Sequence, residues 1–214
     1  MKSTKRIPLI NSPLYKLSSK SDLAKLLGVR TQILHKFQNS VRQYKRFTLP
    51  KPDSRERRPV EEPKSFIKGI HKKLKLILAT IEVPDYLKSG VKGKSHIDNV
   101  KTHKDANYCV TMDLQHFYQT GRKTFLYQCF KEIFLIVNDI AWLLADLATI
   151  PETNNSKESY FPTGSPLSQI AIFWCYKKTF DDIDKICKQR GIIFSLYVDD
   201  MTFSSQRKIP VNGH

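Results

Sequence analysis

The last third of the chain carries the pattern that most restricts its fold. IIFSLYV (192–198) and MTFSS (201–205) are two β-prone runs separated only by Asp199 and Asp200. So short a break predicts an antiparallel hairpin with two acids at its tip. A further strand is predicted from Tyr108 to Met112, apolar and closing on a third acid, Asp113. Helical periodicity fills much of the remainder, so the expected class is α+β, helices packed against a small antiparallel sheet.

Ser19 with Asp22 predicts a helix start, a hydroxyl for the free N–H groups and an acid at the positive dipole end. Leu23, Leu26 and Leu27 mark one face of that helix, and Gly28 ends it. A second helix is expected over 30–40. Two short strands, 44–49 and 56–61, should flank the turn KPDS, where Asp53 and Ser54 are good turn residues. After Pro63 a long amphipathic helix over 64–81 would put Phe66, Ile67, Ile70, Leu74, Ile77, Leu78 and Ile81 inward, and Lys64, Lys68, Lys72 and Lys75 outward. GVKGKSHIDNVKTH (90–103) holds two glycines among lysines and then a short helix capped by Ser95. Helices are expected over 122–135 and 137–148, then a polar loop over 153–159. A last long helix should open at Ser165-Pro166 and run to about 190, where Gly191 ends it.

Charge divides the chain. Residues 1–104 hold 25 Lys and Arg against 8 Asp and Glu, a net of +17, whereas residues 105–214 hold 11 against 12. A basic grip joined to an acidic site points to a polyanion, through phosphate neutralisation and counterion release. With 40% hydrophobic and 11% aromatic residues the chain can bury a core, which excludes global disorder. Cysteines 109, 129, 175 and 187 form no C-x-x-C pair, against a zinc site. The N-terminus lacks an apolar signal region, and the most apolar stretch (133–150) is interrupted by Asp139 and Asp146. The expectation is a cytoplasmic protein with no membrane partner.

Asp113, Asp199 and Asp200 are the candidate chemical centre. Carboxylates gathered on an apolar sheet repel one another and lose hydration unless a cation is present. Magnesium prefers oxygen ligands, and two such ions serve an in-line displacement at phosphorus. His71 and His116 belong to no partnered constellation in the sequence.

YVDDMTFSS (197–205) resembles the catalytic Tyr-x-Asp-Asp hairpin of reverse transcriptases, the bacterial retron-type members in particular. The similarity continues in the family's order. SDLAKLLGV (21–29) resembles their N-terminal helix and YKRFTLPK (44–51) their first fingers strand. RPVEEPKSFIKGIHKKL (58–74) is similar to their strand and basic helix. Asn99 and His103 keep the Asn-x-x-x-His spacing, VTMDLQHFYQT (110–120) looks like the first palm motif, and FPTGSPLSQIAIF (161–173) looks like the Pro-x-Gly-x-Pro segment.

The resemblance implies a right-hand polymerase, with a basic N-terminal and fingers region over 1–104 and a partial palm over 105–214. The reverse transcriptase domain would span about 44–214. It implies RNA-directed DNA synthesis from dNTPs onto a 3′-hydroxyl, with Asp113, Asp199 and Asp200 holding two Mg2+ ions. Arg58 would face the triphosphate, Tyr118 would exclude a ribose 2′-hydroxyl, and Gly164 would let backbone approach the nucleotide or template. Asn99, His103, Lys64, Lys68 and Lys72 would contact RNA. The implied partners are an RNA template, a DNA or RNA primer and a cognate structured non-coding RNA, in a setting of antiviral defence. Thr163 stands where many relatives have Gln, Val100 where a small residue is usual, and Val198 where Ala is common. Nothing resembling a thumb follows the hairpin, so the expectation includes a complementing thumb-bearing chain. The alternatives are a catalytically inactive fragment that binds RNA, and a polymerase of the group II intron or abortive-infection type.

Overall fold

A computed structural model describes residues 6–50, 55–154 and 156–209. The expected turn at Asp53 and Ser54 lies outside the described residues, as does Asn155 of the polar loop. Along the chain the elements run α1 (Lys20–Leu27), α2 (Thr31–His35), β1 (Tyr44–Pro50), β2 (Arg57–Pro63), α3 (Ser65–Thr80), α4 (His96–Thr102), β3 (Tyr108–Asp113) and α5 (Phe117–Thr120). They continue with α6 (Lys123–Glu132), α7 (Asn138–Ala148), β4 (Ile150–Pro151), β5 (Ser159–Tyr160), α8 (Ser168–Gln189), β6 (Ile193–Tyr197) and β7 (Asp200–Ser205). Contacts group these into two units, Met1–Glu82 with Tyr118–Cys175, and Val83–Phe117 with Tyr176–His214. Both units draw on both halves of the chain.

In the first unit α3 and α7 supply the core. α3 buries Ile67, Ile70, Leu74 and Leu78, and His71 lies on the same stripe, fully buried. Ile81, just past its end, is buried as expected, whereas Phe66 is exposed and Ile77 only half-buried. α7 buries Ile140, Ala141, Leu143, Leu144, Ala145, Leu147 and Ala148, which is why its sequence reads as nearly continuous apolar residues. Phe134 stands edge-on to Phe130 at 5.7 Å and to Trp174 at 5.2 Å between ring centres, an arrangement that adds pair energy to the area buried. α1 keeps its expected ends. Ser19 Oγ accepts from Asp22 N–H at 3.0 Å, and Gly28 closes the helix in the left-handed region at φ 63°.

α2 is half the length its sequence pattern predicts, and the reason is a competing use of Asn39. Its amide donates to the carbonyls of Asp146 and Thr149, both at 2.8 Å, which caps the end of α7 and draws residues 36–40 out of the helix. α8 likewise begins at Ser168, three residues after the expected start, because Ser168 Oγ donates to the Pro162 carbonyl at 2.7 Å and holds the preceding loop open.

The second unit is built on an antiparallel sheet in the order β3-β7-β6. Opposed residues share a face. One face carries Met112, Met201 and Leu196 in a row, then Val110, Phe203 and Phe194. The other carries Asp113, Asp200 and Tyr197, then Thr111, Thr202 and Ser195. Tyr86 lies 5.3 Å from Phe194, ring centre to ring centre, and donates its hydroxyl to Asp181 of α8 at 2.7 Å.

The hairpin turn differs by one residue from its expected place. Tyr197 pairs with Asp200, so the two turn residues are Val198 and Asp199, and Asp200 already belongs to β7. Val198 takes φ 63°, a conformation its β-branched side chain disfavours. Its N–H is anchored to Ser89 Oγ at 2.7 Å, which holds the turn in place.

Candidate active site

The sheet brings the three acids together by register. β3 ends at Asp113 directly opposite Asp200, the first residue of β7, and Leu114 N–H donates to the Asp199 carbonyl at 3.1 Å. Asp113 and Asp200 are exposed, whereas Asp199 is half-buried in the turn. Burial, followed by the charges of Asp113 and Asp200, pushes the Asp199 carboxyl above its ordinary value. The group is therefore a cluster of hard oxygen donors whose mutual repulsion a divalent cation would relieve, and its donor chemistry fits magnesium. The three are neighbours without forming a cage. Among the described residues no group of three or more His, Cys, Asp or Glu side chains converges to hold a metal ion.

Asn99 and His103 lie in the same unit as the acids. His103 Nδ1 is 2.6 Å from Ser204 Oγ of β7, and Nε2 is 2.6 Å from Ser195 Oγ of β6. Ser195 Oγ in turn donates to Asn99 Oδ1 at 2.6 Å. Both serines are fully buried. Burial, and then the charge of Lys88, lowers the His103 pKa and favours the neutral ring. Nothing in the sequence marked Ser195 and Ser204, because serine in a strand has no distinctive spacing. Alternation with Phe194 and Phe203 was the one available signal.

The first unit holds the remaining candidates. Arg58 is exposed on β2, opposite Leu49 of β1. Gly164 donates its N–H to the Glu61 carbonyl at 3.1 Å, and a Cβ built on it would lie 2.8 Å from that oxygen and 2.9 Å from Val60 Cγ1. The close approach that requires glycine here is thus to strand β2. Glu61, only 6% exposed, completes the joint: its carboxylate accepts from Thr163 Oγ1 at 2.9 Å and Tyr160 Oη at 3.2 Å. Thr163 Oγ1 also lies 3.0 Å from the Pro59 carbonyl, so its single hydroxyl proton is shared within the loop–strand contact. Glu61 was missed because an acid in a strand reads as a solvent-facing residue. Tyr118 is half-buried in α5, with its carbonyl accepting from Phe161 N–H at 3.2 Å. Lys64, just before α3, and Lys72 on it are exposed, while Lys68 is paired with Glu62 of β2 at 2.5 Å.

The sheet register thus sets three acids side by side in a chain with a large excess of basic residues. Residues 49–213 match the family described as reverse transcriptase (RNA-dependent DNA polymerase), and the chain belongs to that family. It is similar to the Retron Se72 reverse transcriptase of Salmonella heidelberg (strain 579083-10), 28% identical over 196 residues, which cover 90% of this chain and 50% of that protein. It is also similar to the Retron Ec83 reverse transcriptase of Escherichia coli, 24% identical over 168 residues, or 77% of this chain and 54% of that one. The chain spans about half the length of these curated relatives. The resemblance drawn from the motifs is therefore borne out, as is an α+β fold with small antiparallel sheets. No helix among the described residues is long and apolar enough to cross a membrane.

Proposed function

We propose that this protein is an RNA-directed DNA polymerase of retron-like type. The observation that carries the reading is the register of β3 and β7, which sets Asp113 opposite Asp200 with Asp199 in the adjoining turn. These three carboxylates would hold two magnesium ions, which when bound supply Lewis acidity to the 3′-hydroxyl and to the leaving pyrophosphate. Arg58, a planar fork suited to phosphate, would meet the triphosphate of the incoming dNTP. Tyr118 would act as the gate against a 2′-hydroxyl, and Gly164 would help shape the nucleotide or template segment. Exposed Lys64 and Lys72, with Lys68 once released from Glu62, would follow an RNA backbone. Its partners would be an RNA template, a primer and a cognate structured RNA. The setting would be cytoplasmic antiviral defence.

A second reading is RNA binding without synthesis. It is favoured by one observation, that no metal-holding group of three side chains converges among the described residues. Labelled dNTP incorporation on a primed RNA template with magnesium separates the two, comparing this chain with Asp199→Asn. The polymerase reading expects incorporation that the variant abolishes. Salt-sensitive RNA binding by both proteins, without incorporation by either, selects the second reading. The same pair tests the ions without activity: magnesium should raise the melting temperature of the parent and leave Asp199→Asn unmoved.

A further inference from the structure

With the Asn99 amide oxygen turned to Ser195 and the His103 ring neutral, the hydrogen-bond chain around His103 runs in one direction. Ser195 has one hydroxyl proton, and it goes to Asn99 Oδ1. Its oxygen must then accept at the 2.6 Å contact with His103 Nε2, so Nε2 carries the ring proton. Nδ1 is left as an acceptor, and the Ser204 hydroxyl donates to it at 2.6 Å. The sequence is Ser204 to His103 to Ser195 to Asn99, every group is used once, and both ring nitrogens are spent inside the protein. Asn99 Oδ1 is spent as well.

The two serines lie on different strands of the acidic hairpin and are offset. Ser195 of β6 faces Thr202, and Ser204 of β7 faces Ile193. A rigid ring bridging such a diagonal pair resists sliding of one strand along the other. Sliding matters here because a slip of one residue turns every side chain of β7 to the opposite face. A slip of β7 would carry Asp200 away from its place opposite Asp113, and His103, at the end of α4 and five residues before β3 begins at Tyr108, ties β7 to the segment that leads into β3. The hairpin also has a reason to shift, since its turn places Val198 at φ 63° and gathers like charges at Asp113, Asp199 and Asp200.

We propose that His103 and Asn99 are positioning residues of the acidic hairpin: the Nε2–H tautomer of His103 locks β6 to β7 through Ser195 and Ser204 and holds Asp200 opposite Asp113. The proposal rests on the polymerase reading for its consequence in catalysis, and not for the lock itself.

The test uses the full chain and three variants, His103→Gln, His103→Leu and Ser195→Ala. Glutamine offers one donor and one acceptor where the ring has them, and leucine offers neither. Two-bond 1H–15N correlation should show the ring of His103, assigned by its loss in His103→Gln, protonated at Nε2 and bare at Nδ1. Amide hydrogen exchange over Ile193–Ser205 should accelerate about tenfold in His103→Leu and Ser195→Ala and stay near the parent in His103→Gln. In dNTP incorporation at saturating primed RNA, His103→Leu should lower kcat roughly tenfold with dNTP KM and RNA affinity unchanged, and His103→Gln should recover it. An Nδ1–H ring, or unchanged exchange in His103→Leu, overturns the lock. Loss of RNA affinity at unchanged kcat overturns positioning in favour of an RNA contact. If the parent incorporates nothing, the polymerase reading fails, and the exchange and tautomer results decide the lock alone.

Discussion

His71 gives the sharpest quantitative test of the fold. It is 0% exposed; Nε2 lies 2.7 Å from the Leu147 carbonyl and Nδ1 2.6 Å from Ser165 Oγ. A carbonyl only accepts, so Nε2 carries the proton and Nδ1 accepts from the serine hydroxyl. Burial pushes the ring's pKa from 6.5 down to about 4. Because the folded value lies below the unfolded one, the native state binds the proton less well. The contribution of His71 is fully present above pH 6.5, declines as the pH falls, and levels off near pH 4. At about 1.4 kcal/mol per pH unit, the full gap corresponds to about 3 kcal/mol, of which about 2 kcal/mol is lost by pH 5. Urea unfolding at several pH values between 5 and 7.5, followed by tryptophan fluorescence, isolates the effect, since both tryptophans, Trp142 and Trp174, belong to the unit that holds His71. His71→Gln keeps a donor and an acceptor and has no proton to gain. The stability difference between parent and variant should narrow by about 2 kcal/mol from pH 7.5 to 5. Parallel pH curves for the two proteins would refute the argument.

Gly164→Ala should cost about 1–3 kcal/mol, since its Cβ meets the Glu61 backbone, which cannot swing aside; a thermal scan would show a fall of roughly 3–10 °C. Val198→Gly removes the left-handed penalty of about 1–2 kcal/mol against about 0.5–1 kcal/mol of added chain entropy, so chemical denaturation should show a small gain. Cys109 is exposed, while Cys129 is buried with its thiol pushed up by burial, so a thiol reagent should label Cys109 in the native protein and Cys129 only after unfolding.

What the sequence disclosed depended on whether a local rule governed the residue. Caps and periodicity placed α1, α3, α6 and α7, because Ser19, Gly28 and the apolar spacing act within a turn or two of the chain. The acidic hairpin was legible for the same reason, apart from the shift of its turn to Val198 and Asp199. What stayed hidden was decided by partners far along the chain. Asn39 leaves its helix for carbonyls 107 and 110 residues away. Glu61 is buried by Thr163, 102 residues on, and Gly164 is small because of that same strand. The motif around Asp113 named its acid, but only β-sheet register shows that Asp200, and not Asp199, stands opposite it.

His71 and His103, each with hydrogen bonds at both ring nitrogens, do comparable work in the two units. His71 holds Ser165, in the Pro-x-Gly-x-Pro loop, to the end of α7. His103 holds Ser195 and Ser204, in the acidic hairpin, to α4. In each case a short, functionally suggestive segment is secured by a neutral imidazole that donates once and accepts once, and in each case burial favours the neutral ring. Neither segment could be fixed this way by an apolar contact, which is indifferent to a slide along a strand or a rotation of a loop. A hydrogen bond at each end of a rigid ring fixes both distance and direction. Acid works against both clasps, since in each the folded ring binds its proton less well than the unfolded one.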